Sequence, residues 1–214
     1  EVGILGIIKN LKTKKYLLQA KVEPGNINKI QLAPTVQATK SNYKQVHGGS
    51  KVPYIEYFLK LKKIERYNQP EQGFRYLNKF NSNILLELKH NIKIKENFHW
   101  LSKNEIRILV SKKKNIINMD TISIFSSFIK KIKSNYSINT NKKIYSWLSQ
   151  LDKNFYLKTK IIDLKKINKW SMNNKKISHN AKKHFSIIGI NITANKREVK
   201  NWSQPILKGK DLAF

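Results

Sequence analysis

Cysteine is absent from this sequence of 214 residues, and methionine, proline and glycine are scarce, with 2, 5 and 8 copies. Without cysteine the chain can form no disulfide, bind no metal through thiolates and use no cysteine nucleophile. Runs of about 18 or more apolar residues are also absent, so no membrane-spanning helix is predicted. No signal peptide is visible, and we expect a protein of the reducing cytoplasm.

Acidic residues are few: 13 Asp and Glu stand against 43 Lys and Arg, which gives a net charge of +30. Such a charge suggests a nucleic-acid-binding protein, because basic chains bind phosphate backbones nonspecifically. However, the basic residues are spread from Lys9 to Lys210, and lysine is enriched together with asparagine and isoleucine, which all have A/T-rich codons. This distribution favours biased residue usage, and nucleic-acid binding is the weaker interpretation.

Signatures of bound cofactors and metals are also missing. The 5 histidines have no spacing typical of metal ligands, and the sequence contains neither a P-loop nor a G-x-G-x-x-G motif. We therefore predict no metal site and no cofactor.

Proline, glycine and small polar side chains are instead concentrated in residues 19–58. A turn is predicted at residues 23–26, where Pro24 presets φ, and a second turn at Gly48 and Gly49. Between the two turns lies a cluster of amides, hydroxyls and lysines: Gln37, Thr39, Lys40, Ser41, Asn42, Tyr43 and Lys44. These groups suit either a polar, anionic small molecule or an ordinary polar surface loop.

The first half of the sequence is rich in strand patterns. Residues 1–9 and 16–22 predict a β-hairpin, and residues 29–39 predict an edge or bulged strand broken at Pro34. Residues 54–64 fit a short helix or a strand. We predict a turn or bulge at residues 69–73, followed by one or two strands over residues 74–88 that meet near residues 81–83.

Helix signals dominate later in the chain. Ser102 and Glu105 have capping-box spacing, which predicts a helix to about Val110. A second helix should begin at Asn118 or Asp120 and bury one apolar face, composed of Ile122, Phe125, Phe128, Ile129 and Ile132. Residues 130–183 fit either a disordered linker or one or two helices that end near residue 170 and precede a loop through residue 180; the predicted helix face contains Ile144, Trp147, Leu148 and Leu151. A strong strand is predicted over residues 185–193 and a turn over residues 194–197.

Several motifs resemble the NDP-hexose 2,3-dehydratase family. They are QAKVEPG at residues 19–25, QLAPTVQAT at 31–39, SNY at 41–43, YIEYF at 54–58 and EQG at 71–73, with Lys79, Asn81 and Asn83. The resemblance implies an α+β fold, a Nudix-like mixed β-sheet flanked by helices, in a family built from tandem repeats. It implies that residues 1–129 are the body of the first repeat, 130–183 a Lys/Asn-rich helical connector and 184–214 the truncated opening of the second repeat. A homodimer is also implied.

The resemblance further implies a lyase that removes water across C2 and C3 of a dTDP-linked 4-keto-6-deoxy sugar, without a redox cofactor. The protein must then supply a base for the C3 proton, an acid for the departing hydroxide and hydrogen-bond donors to the C4 oxygen. The tandem glutamates of a Nudix box are absent, so no metal-dependent pyrophosphate hydrolysis is expected. An inactive nucleotide-sugar-binding fragment and a basic nucleic-acid-binding protein are the alternatives.

Site residues follow from the matched motifs. The candidates for proton transfer are Glu23, Tyr43, His47, Glu56 and Glu71, of which we select Tyr43 and Glu71 as catalytic. Glu23 also fits a structural or capping role, Glu56 a partner for a lysine, and His47 a base. The predicted substrate-binding residues are Gln37, Thr39, Lys40, Asn42, Gln72, Lys79, Asn81, Trp202 and Gln204. Trp202 fits a stacking role on a base or sugar, or a core position.

Overall fold

The computed structural model describes residues 2–46, 48–60, 65–73, 76–112, 115–128, 138–181 and 184–209. The chain divides into two compact units. The first contains residues 1–129 and 191–204, and the second contains residues 130–190 and 205–214. Within the described ranges, no helix is long and apolar enough to cross a membrane.

The first unit is built on a seven-stranded mixed sheet. Its strands are β1 (Gly3–Asn10), β2 (Tyr16–Val22), β3 (Ile30–Pro34), β4 (Val36–Ala38), β5 (Arg66–Pro70), β6 (Phe80–Leu88) and β7 (Phe98–Leu101). Their order is β3-β2-β1-β6-β5, with β4 paired to β1 and β7 paired to β2. The strands β1 and β6 run parallel, whereas β1–β2, β1–β4, β2–β3, β2–β7 and β5–β6 are antiparallel pairs. With its few helices, this is an α+β fold, as the sequence predicted.

Both faces of the central strand β1 are buried, which explains why its sequence is a continuous apolar run. Alternate residues point to opposite faces of a strand. Ile4 and Ile8 accordingly join one hydrophobic cluster, and Leu5 and Ile7 join another. The helices of this unit are α1 (Lys40–Tyr43), α2 (Ile55–Lys60), α3 (Lys103–Ser111) and α4 (Met119–Ser127). Helix α2 contributes to the first cluster, and α3 and α4 to the second.

Local signals in the first half predicted several elements correctly. The hairpin of β1 and β2 forms, and the chain bends at Thr35 immediately after Pro34, which lies on the outermost strand β3. Residues 55–60 are helical, which resolves the ambiguity there. The capping box is complete, because Ser102 Oγ accepts from Glu105 N–H at 3.3 Å and Glu105 accepts from Ser102 N–H at 2.7 Å.

The prediction for residues 69–88 was partly wrong. Gln69 and Pro70 do not turn but end β5, where they pair with Asn81 and Phe80 of β6. Strand β6 then continues through residues 81–83 without the predicted junction. Its polar residues are held in the strand because β1 pairs with them on one side and β5 on the other. Phe74, the predicted start of this strand, lies outside the described residues.

The predicted buried face of α4 also needs correction. Asn118 caps the helix, but Ile122 is 40% exposed, while Thr121 and Ile124 are fully buried. The rotation follows from the Thr121 hydroxyl, which donates to the carbonyl of Leu32 at 3.2 Å and turns this side of the helix toward β3. Phe125 and Phe128 pack against the second cluster as expected, and Ile129 and Ile132 lie outside the described residues.

The second unit contains α5 (Asn141–Asn154), a short 3-10 helix (Leu164–Lys166), β8 (Trp170–Met172) and β9 (Lys176–His179). The later strands β10 (Ser186–Thr193) and β11 (Asn201–Lys208) complete a four-stranded sheet in the order β11-β10-β9-β8. Helix α5 contains the predicted apolar face but ends well before residue 170. The loop predicted through residue 180 is instead a hairpin, because Asn173 Oδ1 accepts from the N–H groups of Lys175 and Lys176 and closes its turn.

Gly6 offers a direct test of how tightly β1 is packed. A Cβ added at Gly6 would overlap the fully buried Phe58 ring, so the ring or the backbone of β1 would have to shift. Gly6→Ala should therefore lower the free energy of unfolding by about 1–3 kcal/mol, measured by urea denaturation. Gly189→Ala is the control, because nothing lies within 4 Å of its added Cβ. Equal stabilities of the two variants would contradict this packing.

Candidate functional site

A cavity of about 360 Å³ opens between the start of α1 and residues 197–204, all within the first unit. We call it the Trp202 cavity. Its lining residues are Thr39, Ser41, Asn42, Arg197, Glu198, Val199, Trp202, Ser203 and Gln204. Hydroxyls, amides and one indole thus share a small space with a guanidinium and a carboxylate, a composition suited to a polar ring system.

The glycine pair predicted as a turn shapes the wall of this cavity. Gly48 has φ of +67°, a conformation that favours glycine. At Gly49 an added Cβ would come within 2.8 Å of the Glu198 carbonyl oxygen, and Ser50 N–H donates to that carbonyl at 2.8 Å. The turn therefore holds residues 198–199 by close backbone approach, which only glycine permits at this distance.

Trp202 is a half-buried wall residue of the cavity, so its interpretation as a core residue was wrong. Its indole N–H donates to Gln204 Oε1 at 2.7 Å, which fixes the orientation of the amide. The guanidinium carbon of Arg197 lies 5.3 Å from the centroid of the indole ring, a cation–π contact. The strand-like alternation at the start of β11 directs both Trp202 and Gln204 to the same face.

A second cavity, of about 500 Å³, lies between the turn after β2 and the start of α4. We call it the Asp120 cavity. Its polar lining includes Glu23, Asn26, Gln31, Gln37, Asn118 and Asp120. Gln37 accepts from Asn118 Nδ2 at 3.1 Å, and Asn118 Oδ1 accepts from Thr121 N–H at 2.9 Å, so the cap of α4 is tied to β4.

One ion pair joins the walls of the two cavities. Glu23 lines the Asp120 cavity and Arg197 lines the Trp202 cavity, and Arg197 Nη1 lies 2.9 Å from Glu23 Oε1. Arg197 also donates to the carbonyl of Val22 at 3.0 Å. Lys21 Nζ lies 3.4 Å from the same Glu23 oxygen and donates to the carbonyl of Gln37 at 3.0 Å. Burial lowers the pKa of Lys21, whose exposure is 6%.

Asp120 has the most unusual electrostatic environment of these groups. Burial, with smaller contributions from the negative charges of Glu71 and Glu23, raises the pKa of Asp120 to about 6. Lys21 and Lys79 oppose this rise but do not cancel it. An acid with this pKa is mostly ionised at neutral pH yet basic enough to accept a proton, as general bases require.

Glu71 lies beside two of the predicted binding residues. Asn81 Nδ2 donates to Glu71 Oε1 at 2.5 Å, and Lys79 Nζ lies 3.6 Å from the same oxygen. The backbone N–H of Glu71 donates to the Lys79 carbonyl at 2.9 Å, so the turn after β5 folds this carboxylate back onto β6. Predicted residues 71, 79 and 81 therefore form one cluster.

The other predicted residues are distributed as follows. Thr39, Asn42, Trp202 and Gln204 line the Trp202 cavity, and Gln37 lines the Asp120 cavity. Lys40 and Gln72 are exposed and line neither cavity. Tyr43 packs, partly buried, against the first hydrophobic cluster and, like them, lines neither cavity. His47 lies outside the described residues.

Glu23 and Glu56 both have cationic partners. Glu56 Oε2 lies 3.3 Å from Lys51 Nζ, which confirms a lysine partner, although more than a third of the Glu56 side chain is exposed. Glu23 binds Arg197 and Lys21, which supports its structural interpretation.

Sequence reasoning missed three groups of the site: Lys21, Asp120 and Arg197. Asp120 was considered only as a helix cap, Lys21 only as part of a matched motif, and Arg197 as part of the turn predicted over residues 194–197. The signal for Asp120 was its place next to Asn118 at the start of a helix that follows a polar stretch. Arg197 is 174 residues from Glu23 in sequence, so no local pattern joins them.

An α+β fold whose two polar cavities are linked by a partly buried ion pair, beside a carboxyl group of raised pKa, is typical of an enzyme that acts on a polar small molecule. Residues 1–128 and 141–214 match the family NDP-hexose 2,3-dehydratase, and the chain belongs to this family. The family resemblance stated from the motifs is thereby confirmed.

Three bacterial relatives support the assignment, and each is described as a dTDP-4-dehydro-6-deoxy-alpha-D-glucopyranose 2,3-dehydratase. The relative from Saccharopolyspora spinosa is 30% identical over 99% of this chain and 49% of its own length. The relatives from Amycolatopsis orientalis and Streptomyces violaceoruber are 32% and 34% identical over 99% and 97% of this chain, and over 46% and 50% of their own lengths. The chain thus spans about half the length of these relatives.

Asp120→Asn should stabilise the protein in a pH-dependent manner. The pKa of Asp120 is about 6 when folded and near 3.8 when unfolded, so its ionisation opposes folding. The free-energy cost of burying the ionised Asp120 carboxylate is absent below about pH 3.8 and grows as the pH rises through about 6. Above that pH it reaches its full value, about 3 kcal/mol at most. Loss of a favourable helix-dipole contact offsets about 0.3–1 kcal/mol of the gain.

Urea denaturation at several pH values checks this prediction. The stability gain of Asp120→Asn over the unaltered chain should increase between pH 4 and pH 7. The exposed Asp152 of α5 provides the matched variant Asp152→Asn, whose effect should not follow this course. A constant difference across the range would contradict the unfavourable burial of Asp120.

Proposed function

We propose that this chain forms part of an enzyme that removes water across C2 and C3 of a dTDP-linked 4-keto-6-deoxyhexose. The observation that carries the proposal is the meeting of the Trp202 and Asp120 cavities at the Glu23–Arg197 ion pair. A nucleotide-linked sugar has a base at one end, a reacting sugar at the other and a diphosphate between them. The described activity of the relatives provides the second line of support.

The Trp202 cavity is assigned to the nucleoside. Trp202 offers an aromatic face for stacking, and Asn42, Gln204 and Thr39 offer amide and hydroxyl groups for the base and the ribose. The diphosphate would then lie near Arg197, which already presents a charged donor at the boundary of the cavity. Lys40 and Gln72 remain predicted contacts, from the exposed rim.

The sugar is assigned to the Asp120 cavity and the neighbouring Glu71, Lys79 and Asn81 cluster. The ketone at C4 makes the C3 proton acidic, because the electron pair released at C3 is stabilised as an enolate. Return of that pair expels the C2 hydroxyl group as water. Glu71 and Tyr43 keep their predicted catalytic roles, Glu71 as a charged group beside the reacting sugar and Tyr43 as a hydrogen-bond donor toward the C4 oxygen of the substrate.

We also propose that the mixed sheet of the first unit belongs to a Nudix-like fold and that the chain corresponds to roughly one repeat of a tandem-repeat protein. Residues 1–129 would form the body of the first repeat, 130–183 a connector and 184–214 the opening of the second. The half-length match to the relatives supports this proposal. A homodimer in the cytoplasm is part of the same proposal.

Trp202→Ala tests the assignment of the nucleoside. Loss of a stacking face should weaken the binding of dTDP by about 10-fold to 100-fold, measured by isothermal titration calorimetry. Trp147→Ala is the matched control, because Trp147 is 56% exposed on α5 and lines none of the described cavities at the proposed site. Equal affinity in both variants would remove Trp202 from the nucleoside site.

Tyr43→Phe tests the donor role. The chain and its variant are incubated with dTDP-4-keto-6-deoxyglucose, and the loss of water is followed by mass spectrometry. We expect turnover to fall by about 100-fold or more while dTDP binding changes little, since the hydroxyl would act on the reacting sugar. Tyr156→Phe, at a residue that is 84% exposed, is the control.

The outcomes of this incubation distinguish an active dehydratase from an inactive nucleotide-sugar-binding protein. Binding without turnover in the unaltered chain would favour an inactive nucleotide-sugar-binding protein. An unchanged rate in Tyr43→Phe would exclude Tyr43 from the mechanism and leave the dehydratase assignment intact.

A further inference from the structure

We propose that Asp120 is the group that removes the C3 proton of the sugar, an inference that rests on the proposed dehydratase function. Asp120 lines the Asp120 cavity from the first turn of α4. This turn is held in place by three contacts, from Asn118 to Gln37, from Thr121 N–H to Asn118 and from the Thr121 hydroxyl to Leu32. A base must be rigidly placed, and these contacts provide that rigidity.

Asp120 differs from the neighbouring carboxylates in its contacts. Glu71 accepts from Asn81 and lies beside Lys79, and Glu23 is held by Arg197 and Lys21. The carboxylate of Asp120 makes no hydrogen bond or ion pair with any residue that the structure describes. Both of its oxygens therefore keep their lone pairs for an incoming proton, whereas Oε1 of each of the other two carboxylates is already held by cationic or amide donors.

The same cavity contains a second polar group without a protein partner. Asn26 lines the cavity, and its Nδ2 is a buried donor that none of the described residues accepts from. Buried donors are rarely left unpaired in folded proteins, which points to an oxygen atom supplied by a ligand. A hydroxylated keto sugar carries several such oxygens.

The charges around Asp120 adjust its basicity. Glu71 and Glu23 raise the pKa of Asp120, and Lys21 and Lys79 lower it. Burial is the largest influence, and the resulting pKa of about 6 leaves the group mostly ionised at neutral pH. Without the flanking acids and the burial, the carboxylate would be a much weaker base.

The proposed step is balanced as follows. The Asp120 carboxylate takes the C3 proton, and the electron pair of that C–H bond forms the C3–C4 double bond of an enolate whose charge lies on the C4 oxygen. The enolate then re-forms the ketone, and its pair makes the C2–C3 double bond as the C2–O bond breaks. The departing hydroxide takes the proton from Asp120 and leaves as water, so Asp120 ends the reaction ionised.

Exchange of the C3 proton tests this role apart from the complete reaction. The unaltered chain, Asp120→Asn and Asp152→Asn are each incubated with dTDP-4-keto-6-deoxyglucose in D₂O. NMR follows two rates, the loss of the C3 proton signal and the loss of water from the sugar. Asp120→Asn should lower both rates by about 100-fold or more and keep the affinity for dTDP within about 3-fold of the unaltered chain. In the unaltered chain both rates should increase as the pH rises through about 6, and this increase should be absent from Asp120→Asn. Asp152→Asn should behave as the unaltered chain, and exchange at the normal rate in Asp120→Asn would overturn the proposal.

A second measurement distinguishes failure of this inference from failure of the dehydratase function. The titration of the Asp120 carboxyl carbon is followed by ¹³C NMR in the unaltered chain, with the nucleotide keto sugar or with dTDP alone. A titration shifted by the sugar nucleotide but not by dTDP supports Asp120 beside the sugar even in a chain that proves inactive. An unshifted titration overturns the proposal. An inactive chain in which the shift occurs would contradict the complete function alone.

Discussion

The site depends on one partly buried interaction, the contact of Glu23 with both Arg197 and the buried Lys21. A buried charge destabilises a protein strongly unless it is paired and hydrogen-bonded. Glu23 supplies that pairing for a lysine of β2 and an arginine that is 174 residues from Glu23 along the chain. Removal of Glu23 would leave Arg197 and Lys21 close together without a counterion. Because that arrangement is unfavourable, the contact of Glu23 with Arg197 holds residues 197–204 against the turn after β2. The contact thus links a lining residue of each cavity.

Local chemistry accounts for the part of the fold that the sequence predicted. The hairpin of β1 and β2, the break after Pro34, the Gly48–Gly49 turn and the Ser102 capping box each follow from the conformational preferences of a few adjacent residues. These are also the parts that the structure confirms most closely. The strand β5 was missed because Gln69 and Pro70 have turn preferences, and pairing with β6 overrode them.

The candidate site was predicted less completely, and the reason is again distance along the chain. Thr39, Asn42, Trp202 and Gln204 came from motif resemblance, and the structure places all of them on one cavity. Asp120 was visible only as a capping residue, because carboxylates are common at helix N-termini, where they interact favourably with the helix dipole. The property that distinguishes Asp120 is its burial next to Glu71, and burial arises only when β6 and α4 come together.

The balance of charge around Asp120 explains how a chain of net charge +30 can keep a basic carboxylate. In its immediate surroundings the positive charges of Lys21 and Lys79 are matched by the negative charges of Glu23 and Glu71. A site as basic as the rest of the chain would lower the pKa of Asp120 and weaken it as a base. Local neutrality allows burial to dominate instead. The excess positive charge lies elsewhere on the chain, where it can attract an anionic nucleotide over a longer range, an effect that salt would screen while leaving the buried carboxyl largely unaffected.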